Sequence, residues 1–370
     1  MKETICFIAA PVLLFSLALS SCGEPKKPEQ PAPEPAPITS TQPQAQNAIP
    51  QGPGVSTEEI HPRVTQIDVS RGWASAYLIR GEKIAIVNTG PKQPVEVYIG
   101  PALEKLDLTP ADIDIILDTC IHGDHIGGNE ALQSASNAPV YIYAEDADHL
   151  ENFELFIDTY MVPDIEELLG KEQVETQKAA FLASMPHDLT VGRRLRDGDI
   201  IELGEGVNLK VLHLPGHTPW DVGYYWEEEG ILFAGDTVKG VHGARGALPV
   251  INDLDKYEKS IERLLELPLK VMARFHPAES ITIPNTFILR DGEIKQFLQE
   301  ILGTIPVMRE AAESIAPAYP EKPFWELYDD FINLLPSEWK LSPASAMPQV
   351  PFHGGVTFLN LIKKITKEMQ

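Results

Sequence analysis

Four side chains able to bind metal, Cys120, His122, Asp124 and His125, fall within six consecutive residues of the segment Asp118-Thr119-Cys120-Ile121-His122-Gly123-Asp124-His125-Ile126-Gly127-Gly128. The segment follows the apolar run 113–117, which reads as a buried strand, so the four lie in a turn at a strand's end. A loop there can aim Cys120, His122 and Asp124 at one region and turn His125 toward a neighbouring one. Neutral imidazole and thiolate suit zinc, whereas a carboxylate suits a harder ion or a second site. Gly127-Gly128 lets the chain turn sharply into 129–133.

The surrounding chain must supply the elements that position this turn. Short β-type runs separated by turn residues occupy 64–69, 74–80 and 83–89. Helical spacing covers 94–106, with Val95, Tyr98, Leu103 and Leu106 as candidate buried positions. A strand is expected at 140–143, then a mostly helical stretch at about 145–185. Strands resume at 199–203, 209–214, 222–226 and 231–234, followed by an amphipathic helix at 254–267 and a strand at 269–275. Helices are expected at 287–301, 307–315, 324–335 and 356–368, with proline clusters at 316–323 and 343–351. The pattern is β-rich and then α/β, twice over. Two sheets covered by helices account for it, an α/β architecture.

The segment 120–125 resembles the H-x-H-x-D-H motif of the metallo-β-lactamase fold superfamily, with Cys120 where the first histidine usually stands. Three landmarks follow in order: Pro215-Gly216-His217-Thr218-Pro219, Phe233-Ala234-Gly235-Asp236-Thr237 and Phe275-His276-Pro277. They resemble the family's P-G-H-T-P turn, its strand-end G-D-T and its last ligand histidine. The similarity covers about residues 62–283. It implies an αββα sandwich at 55–285, with a helical insertion at about 145–185 and a mostly helical C-terminal extension at 286–370. Carried over by position, one metal would have Cys120, His122 and His217. The second would have Asp124, His125 and His276, with Asp236 between them. The implied cofactor is zinc, one or two ions, with iron or manganese as alternatives. The implied activity is hydrolysis by a metal-bound hydroxide that Asp124 helps to hold, on an ester, thioester or lactone. A periplasmic β-lactamase and a catalytically weak binding or sensing protein are the alternatives.

Two positions depart from the family pattern. Asn88-Thr89-Gly90 stands where the family carries D-T-G; asparagine keeps much of the hydrogen bonding and loses the charge. Cys120 is open to three readings. It can ligate zinc as a thiolate, leave the first site weak or empty, or act as a reactive thiol. The loop after Asp236 holds Lys239, His242 and Arg245, which would either bind an anionic group of the substrate or form a solvated loop. His213 reads as a supporting or core histidine, and Trp73 and Trp220 as pocket wall or core. His61, His149, His187 and His353 have no supporting pattern.

With 30 Lys+Arg against 54 Asp+Glu, the net charge of −24 repels phosphate backbones and argues against general nucleic-acid binding. Three cysteines, Cys6, Cys22 and Cys120, are too few for a disulfide framework. Residues 1–21 read as a lipoprotein signal peptide, because the apolar run 5–19 ends in Leu19-Ser20-Ser21-Cys22, which resembles a lipobox with Cys22 as the lipidated residue. Residues 22–54, rich in proline, read as a semi-rigid linker. The expected location is the bacterial cell envelope, lipid-anchored on the periplasmic side of a membrane, and the expected partners are that membrane and a small-molecule substrate. Oligomeric state is left open.

Overall fold

The computed structural model describes residues 55–93, 95–187, 189–240, 248–277, 280–342 and 351–369. The expected signal peptide, Cys22, the whole linker, His242 and Arg245 lie outside the described residues. Two sheets face each other. The first holds β1 (Thr57–His61), β2 (Val64–Asp68), β3 (Ser75–Arg80), β4 (Ile84–Val87), β5 (Ile115–Leu117), β6 (Val140–Tyr143) and β7 (Val191–Leu195), side by side in chain order. The second holds β8 (Ile200–Gly204), β9 (Val207–His213), β10 (Val222–Trp226), β11 (Ile231–Gly235), β12 (Val271–Arg274) and β13 (Ile288–Arg290), again in chain order. Pairs from β1 to β4 are antiparallel, and pairs from β4 to β7 are parallel. In the second sheet only β11–β12 is parallel.

Parallel neighbours need a crossover, and each crossover here carries helix. Ile99–Glu104 joins β4 to β5, Asn129–Ser136 joins β5 to β6, and a chain of helices from Ala144 to Ser184 joins β6 to β7. Leu254–Leu265 joins β11 to β12. Its buried Leu254, Tyr257, Ile261 and Leu264 recur at spacings of three and four, and the Asp253 carboxylate caps its first turn.

The strands' two-residue alternation builds three cores. Tyr77, Val87 and Leu117 meet Val211, Tyr224 and Phe233 between the sheets. Leu78, Ile86 and Ile116 point outward into the helices of the first half. Leu212, Leu232 and Met272 point outward under Leu254–Leu265, Gly292–Ile315, Phe324–Leu334 and Pro351–Glu368. The layers are therefore αββα, and the mostly helical C-terminal region forms the outer layer over the second sheet. Among the described residues no helix is long and apolar enough to cross a membrane.

Five elements differ from expectation. The strands β1 and β7 were not expected; they are the two edges of the first sheet, and their exposed polar residues hide the apolar pattern. The helix expected at 94–106 is confined to Ile99–Glu104. The helix expected from 287 instead begins with β13, which pairs with β12 before a turn at Asp291, whose φ is +44°. The separate helices 287–301 and 307–315 are one helix, Gly292–Ile315, running through Pro306. Pro306 faces solvent, while Ile301, Ile305, Met308 and Ala312 pack into the core and offset the roughly 3 kcal/mol that an interior proline costs.

Candidate metal centre

All the candidate ligands sit where strands end on one rim of the sandwich. Cys120, His122, Asp124 and His125 follow β5, the last two in the single-turn helix Gly123–Ile126. His217 lies in the turn between β9 and β10, Asp236 directly follows β11, and His276 follows β12. Gly216 makes the His217 turn possible: its φ is +146°, and a Cβ there would lie 2.4 Å from the Tyr257 Cα. Gly235, at φ +56°, brings the end of β11 against Thr119, where a Cβ would lie 2.5 Å from its Oγ1.

The side chains converge as two triads. Cys120, His122 and His217 place one donor atom each within 4.8 Å of one another, and so do Asp124, His125 and His276. Cys120 Sγ is 3.9 Å from His122 Nδ1, which is 2.9 Å from His217 Nε2. In the other triad, His276 Nε2 is 3.1 Å from Asp124 Oδ2. Asp236 lies between them: its Oδ2 is 3.3 Å from His125 Nε2, 3.5 Å from His217 Nε2 and 3.7 Å from His276 Nε2.

Neighbouring groups aim three of the rings. His217 Nδ1–H donates to the Val250 carbonyl at 2.7 Å, and His276 Nδ1–H donates to the Trp73 carbonyl at 2.8 Å. Thr119 Oγ1–H donates to Asn88 Oδ1 at 3.1 Å, so His125 Nδ1–H is the donor in the 3.2 Å contact with that hydroxyl. In each case Nε2 is left as the lone-pair nitrogen facing the cluster.

The electrostatics suit a cation. Burial pushes the His122 imidazole down to about 4, and burial with His122 alongside holds His217 well below the usual histidine range. Both rings are therefore neutral near pH 7 and able to ligate. Burial works to raise the carboxyls of Asp124 and Asp236, but it is outweighed: His125 and His276 hold Asp124 low, and Lys239, His276 and His125 hold Asp236 low. Burial, Asp221 and Asp236 push the Cys120 thiol well above its usual value, so only a cation that displaces the proton makes it a thiolate. His125 Nε2 and Asp236 Oδ1 are buried with no hydrogen-bond partner. A nitrogen and an oxygen buried without hydrogen-bond partners at this cluster fit a divalent ion, as does the donor set of neutral imidazoles, carboxylates and one thiol.

Two supporting residues, Asp221 and Asn129, carried no sequence signal. Asp221 is buried and accepts from Thr218 N–H at 2.6 Å and from Thr218 Oγ1–H at 2.9 Å, which pins the turn after His217. Asn129 bridges Thr89 and Asp118 through two 2.7 Å bonds. Asn88, at φ +57°, accepts from both the N–H and the Oγ1–H of Thr119, each at 3.1 Å. Asparagine thus retains the acceptor that this corner needs. Asn88→Ala should lower folding stability by about 2–4 kcal/mol, from an orphaned buried donor and a left-handed alanine. Urea denaturation reads this directly, and an unchanged midpoint would mean that Thr119 finds another acceptor.

The other candidates divide. Lys239 reaches the site, its Nζ bonded to Asp236 and its side chain 20% exposed. The Trp73 ring lies 4.5 Å from the His276 ring, centre to centre. Trp220 instead packs on His149 and Tyr160 of the helical insertion, and His213 stacks on Tyr143. His149 is buried beside Asp146, and His61 lies near Glu229. The His187 backbone N–H bonds to Glu130, and the His353 side chain lies outside the described ones.

The family described as the metallo-beta-lactamase superfamily matches residues 71–276, more than half of the chain. The chain belongs to that superfamily, whose homologues matched here are hydrolases. The hydroxyacylglutathione hydrolase of Methylococcus capsulatus is 27% identical over 252 residues, covering 60% of this chain and 80% of that one. An atrochrysone carboxyl ACP thioesterase of Pseudocercospora fijiensis is 23% identical over 278 residues, covering 72% of this chain and 68% of its own. The crystal structure of a metallo-beta-lactamase family protein from Thermus thermophilus superimposes with a TM-score of 0.55 at 22% identity, over 85% of this chain and 94% of that one, which shows the shared fold.

Proposed function

We propose that the protein is a metal-dependent hydrolase of activated acyl bonds, thioesters first, with esters and lactones in the same class. One observation carries the reading: the Asp236 carboxylate stands within 3.7 Å of a histidine nitrogen from each triad, so a single group serves both. The names of two relatives, a hydroxyacylglutathione hydrolase and an ACP thioesterase, support an acyl group carried on sulfur.

Cys120, His122 and His217 would hold one divalent cation and Asp124, His125 and His276 another, with Asp236 shared; zinc suits this donor set first. When bound, such ions polarise an acyl oxygen and lower the pKa of water toward neutrality. The chain's own residues do the rest. Asp124, ionised near pH 7, can accept a proton from the attacking water and fix its direction. The buried rim around His125 and Asp236 keeps bulk water out and strengthens each charge interaction. Lys239, at the edge, can meet an anionic group of the substrate.

Freshly purified full-length protein should carry two metal equivalents. Chelation should abolish thioester turnover and lower the melting temperature, because ions that bind only the folded state stabilise it. A fully loaded protein inert toward thioester, ester, lactone, phosphodiester and β-lactam panels would reject the hydrolase reading, and turnover of β-lactams alone would reassign the substrate. We further infer, from the sequence around Cys22, a lipid-anchored protein of the bacterial envelope. Cys22→Ser should move the protein from the membrane to the soluble fraction with turnover unchanged.

A further inference from the structure

The C-terminal helix Pro351–Glu368 reaches the metal centre through one hydroxyl. The chain entering the helix Leu254–Leu265 contains Leu248-Pro249-Val250-Ile251, which lies in no strand, so its peptide groups lack a ladder of partners. Val250 supplies the carbonyl that receives His217 Nδ1–H at 2.7 Å. The peptide groups on either side of Val250 are tied to a single side chain. Thr357 Oγ1–H donates to the Pro249 carbonyl at 2.6 Å, and Thr357 Oγ1 accepts from Ile251 N–H at 2.8 Å. Thr357 is 2% exposed. A helical threonine ordinarily returns its proton to a carbonyl one turn back, as Thr366 does to Ile362 at 2.8 Å. Thr357 sends its proton across to another segment instead. That segment is also tied to the ligand turn, since the N–H groups of Asn252 and Asp253 both donate to the Gly216 carbonyl, at 2.8 and 3.0 Å.

We propose that Thr357 is a positioning residue for His217. Its hydroxyl, used as donor on one side of Val250 and acceptor on the other, fixes the direction of the Val250 carbonyl. That carbonyl holds the proton on His217 Nδ1 and points Nε2 at the Cys120–His122 triad. The role of Nε2 as a metal ligand rests on the reading above; the link from Thr357 to the ring does not. The C-terminal helix is therefore part of the metal centre's scaffold, although none of its described side chains is among the candidate ligands.

The test compares Thr357→Val, which keeps the shape and removes the hydroxyl, with Thr357→Ser, which keeps the hydroxyl, in the full chain. In metal-free protein labelled with 15N-histidine, the His217 ring should be locked as the Nδ1–H tautomer in wild type and T357S, and should average between tautomers in T357V. In zinc titrations T357V should weaken one of two sites by about tenfold, the scale of losing an outer partner of a ligand, and spare the other. T357S should restore wild-type binding. T357A serves in the same role if T357V does not fold. A hydroxyl-free variant with a locked His217 tautomer and unchanged zinc affinity, differing only in melting temperature, would overturn the proposal. If wild type binds no zinc while the tautomer still follows the hydroxyl, the metal reading falls and the positioning role stands.

Discussion

Asp236→Asn is expected to reduce turnover about a thousandfold, the equivalent of the several kcal/mol that metal ions contribute to a transition state at about 1.4 kcal/mol per tenfold. The change keeps the shape of the side chain and removes the one negative charge that faces both triads. Asp236 Oδ2 is within 3.3 to 3.7 Å of three histidine nitrogens, so asparagine weakens the hold on both cations at once. It also leaves Lys239 without its partner, and an ammonium close to the ligands repels any cation approaching them. Lys239→Met separates the two effects: it removes that positive charge, keeps Asp236 and should retain metal. Turnover, metal content and far-UV circular dichroism of the three proteins together decide the matter. Fully metal-loaded D236N with wild-type turnover would remove Asp236 from the centre's chemistry.

Cys120→Ala is expected to remove one metal equivalent and leave the other. Its Sγ belongs to only one triad, and Asp124, His125 and His276 remain intact beside it. Losing a direct ligand should weaken that site by more than the roughly 10–100-fold produced by losing an outer partner. Cobalt- or cadmium-loaded wild type should show a sulfur-to-metal charge-transfer band that C120A lacks. A buried thiol raised above its usual range would give no such band unless the ion had displaced its proton. Cys120→His restores a nitrogen donor, and the hydrolase reading expects activity to be retained or raised. The site is tight, with Cys120 only 1% exposed, so the larger ring should cost about 1–3 kcal/mol of stability through overpacking. Two metal equivalents in C120A would show that the thiol is not a ligand.

How legible the centre was in the sequence depended on where each contact came from. Cys120, His122, Asp124 and His125 stand close in the chain, after an apolar run that reads as a buried strand, and the structure places them at one site but divides them two and two, Asp124 joining His125 rather than Cys120 and His122. His217, Asp236 and His276 were found through motif resemblance, each at a turn or strand end, and they complete the same cluster. The groups that aim them were not visible. Val250 and Trp73 act through backbone carbonyls, which every residue type presents, so no side-chain pattern could mark them. Asp221 looked like any acidic residue after a turn, and its burial is a tertiary fact. The fold shows the same division. Central strands such as β5 and β11 are apolar on both faces and stood out, whereas the edge strand β7 carries Arg193 and Arg194 and did not. At β13 the apolar residues of Ile288–Arg290 fit a helical period as well as a strand; pairing with β12 decided between them.

The two sheets come from successive stretches of chain, and each triad takes two donors from the earlier stretch and one histidine from the later: Cys120 and His122 await His217, while Asp124 and His125 await His276. A growing polypeptide that has made only the first sheet therefore exposes two half-finished chelates beside a bare apolar face. The second stretch completes both, with His217 from the turn between β9 and β10 and His276 after β12. Under the metal reading, the ions act as clasps between halves made one after the other, so a shortage of metal loosens the halves and stops turnover together.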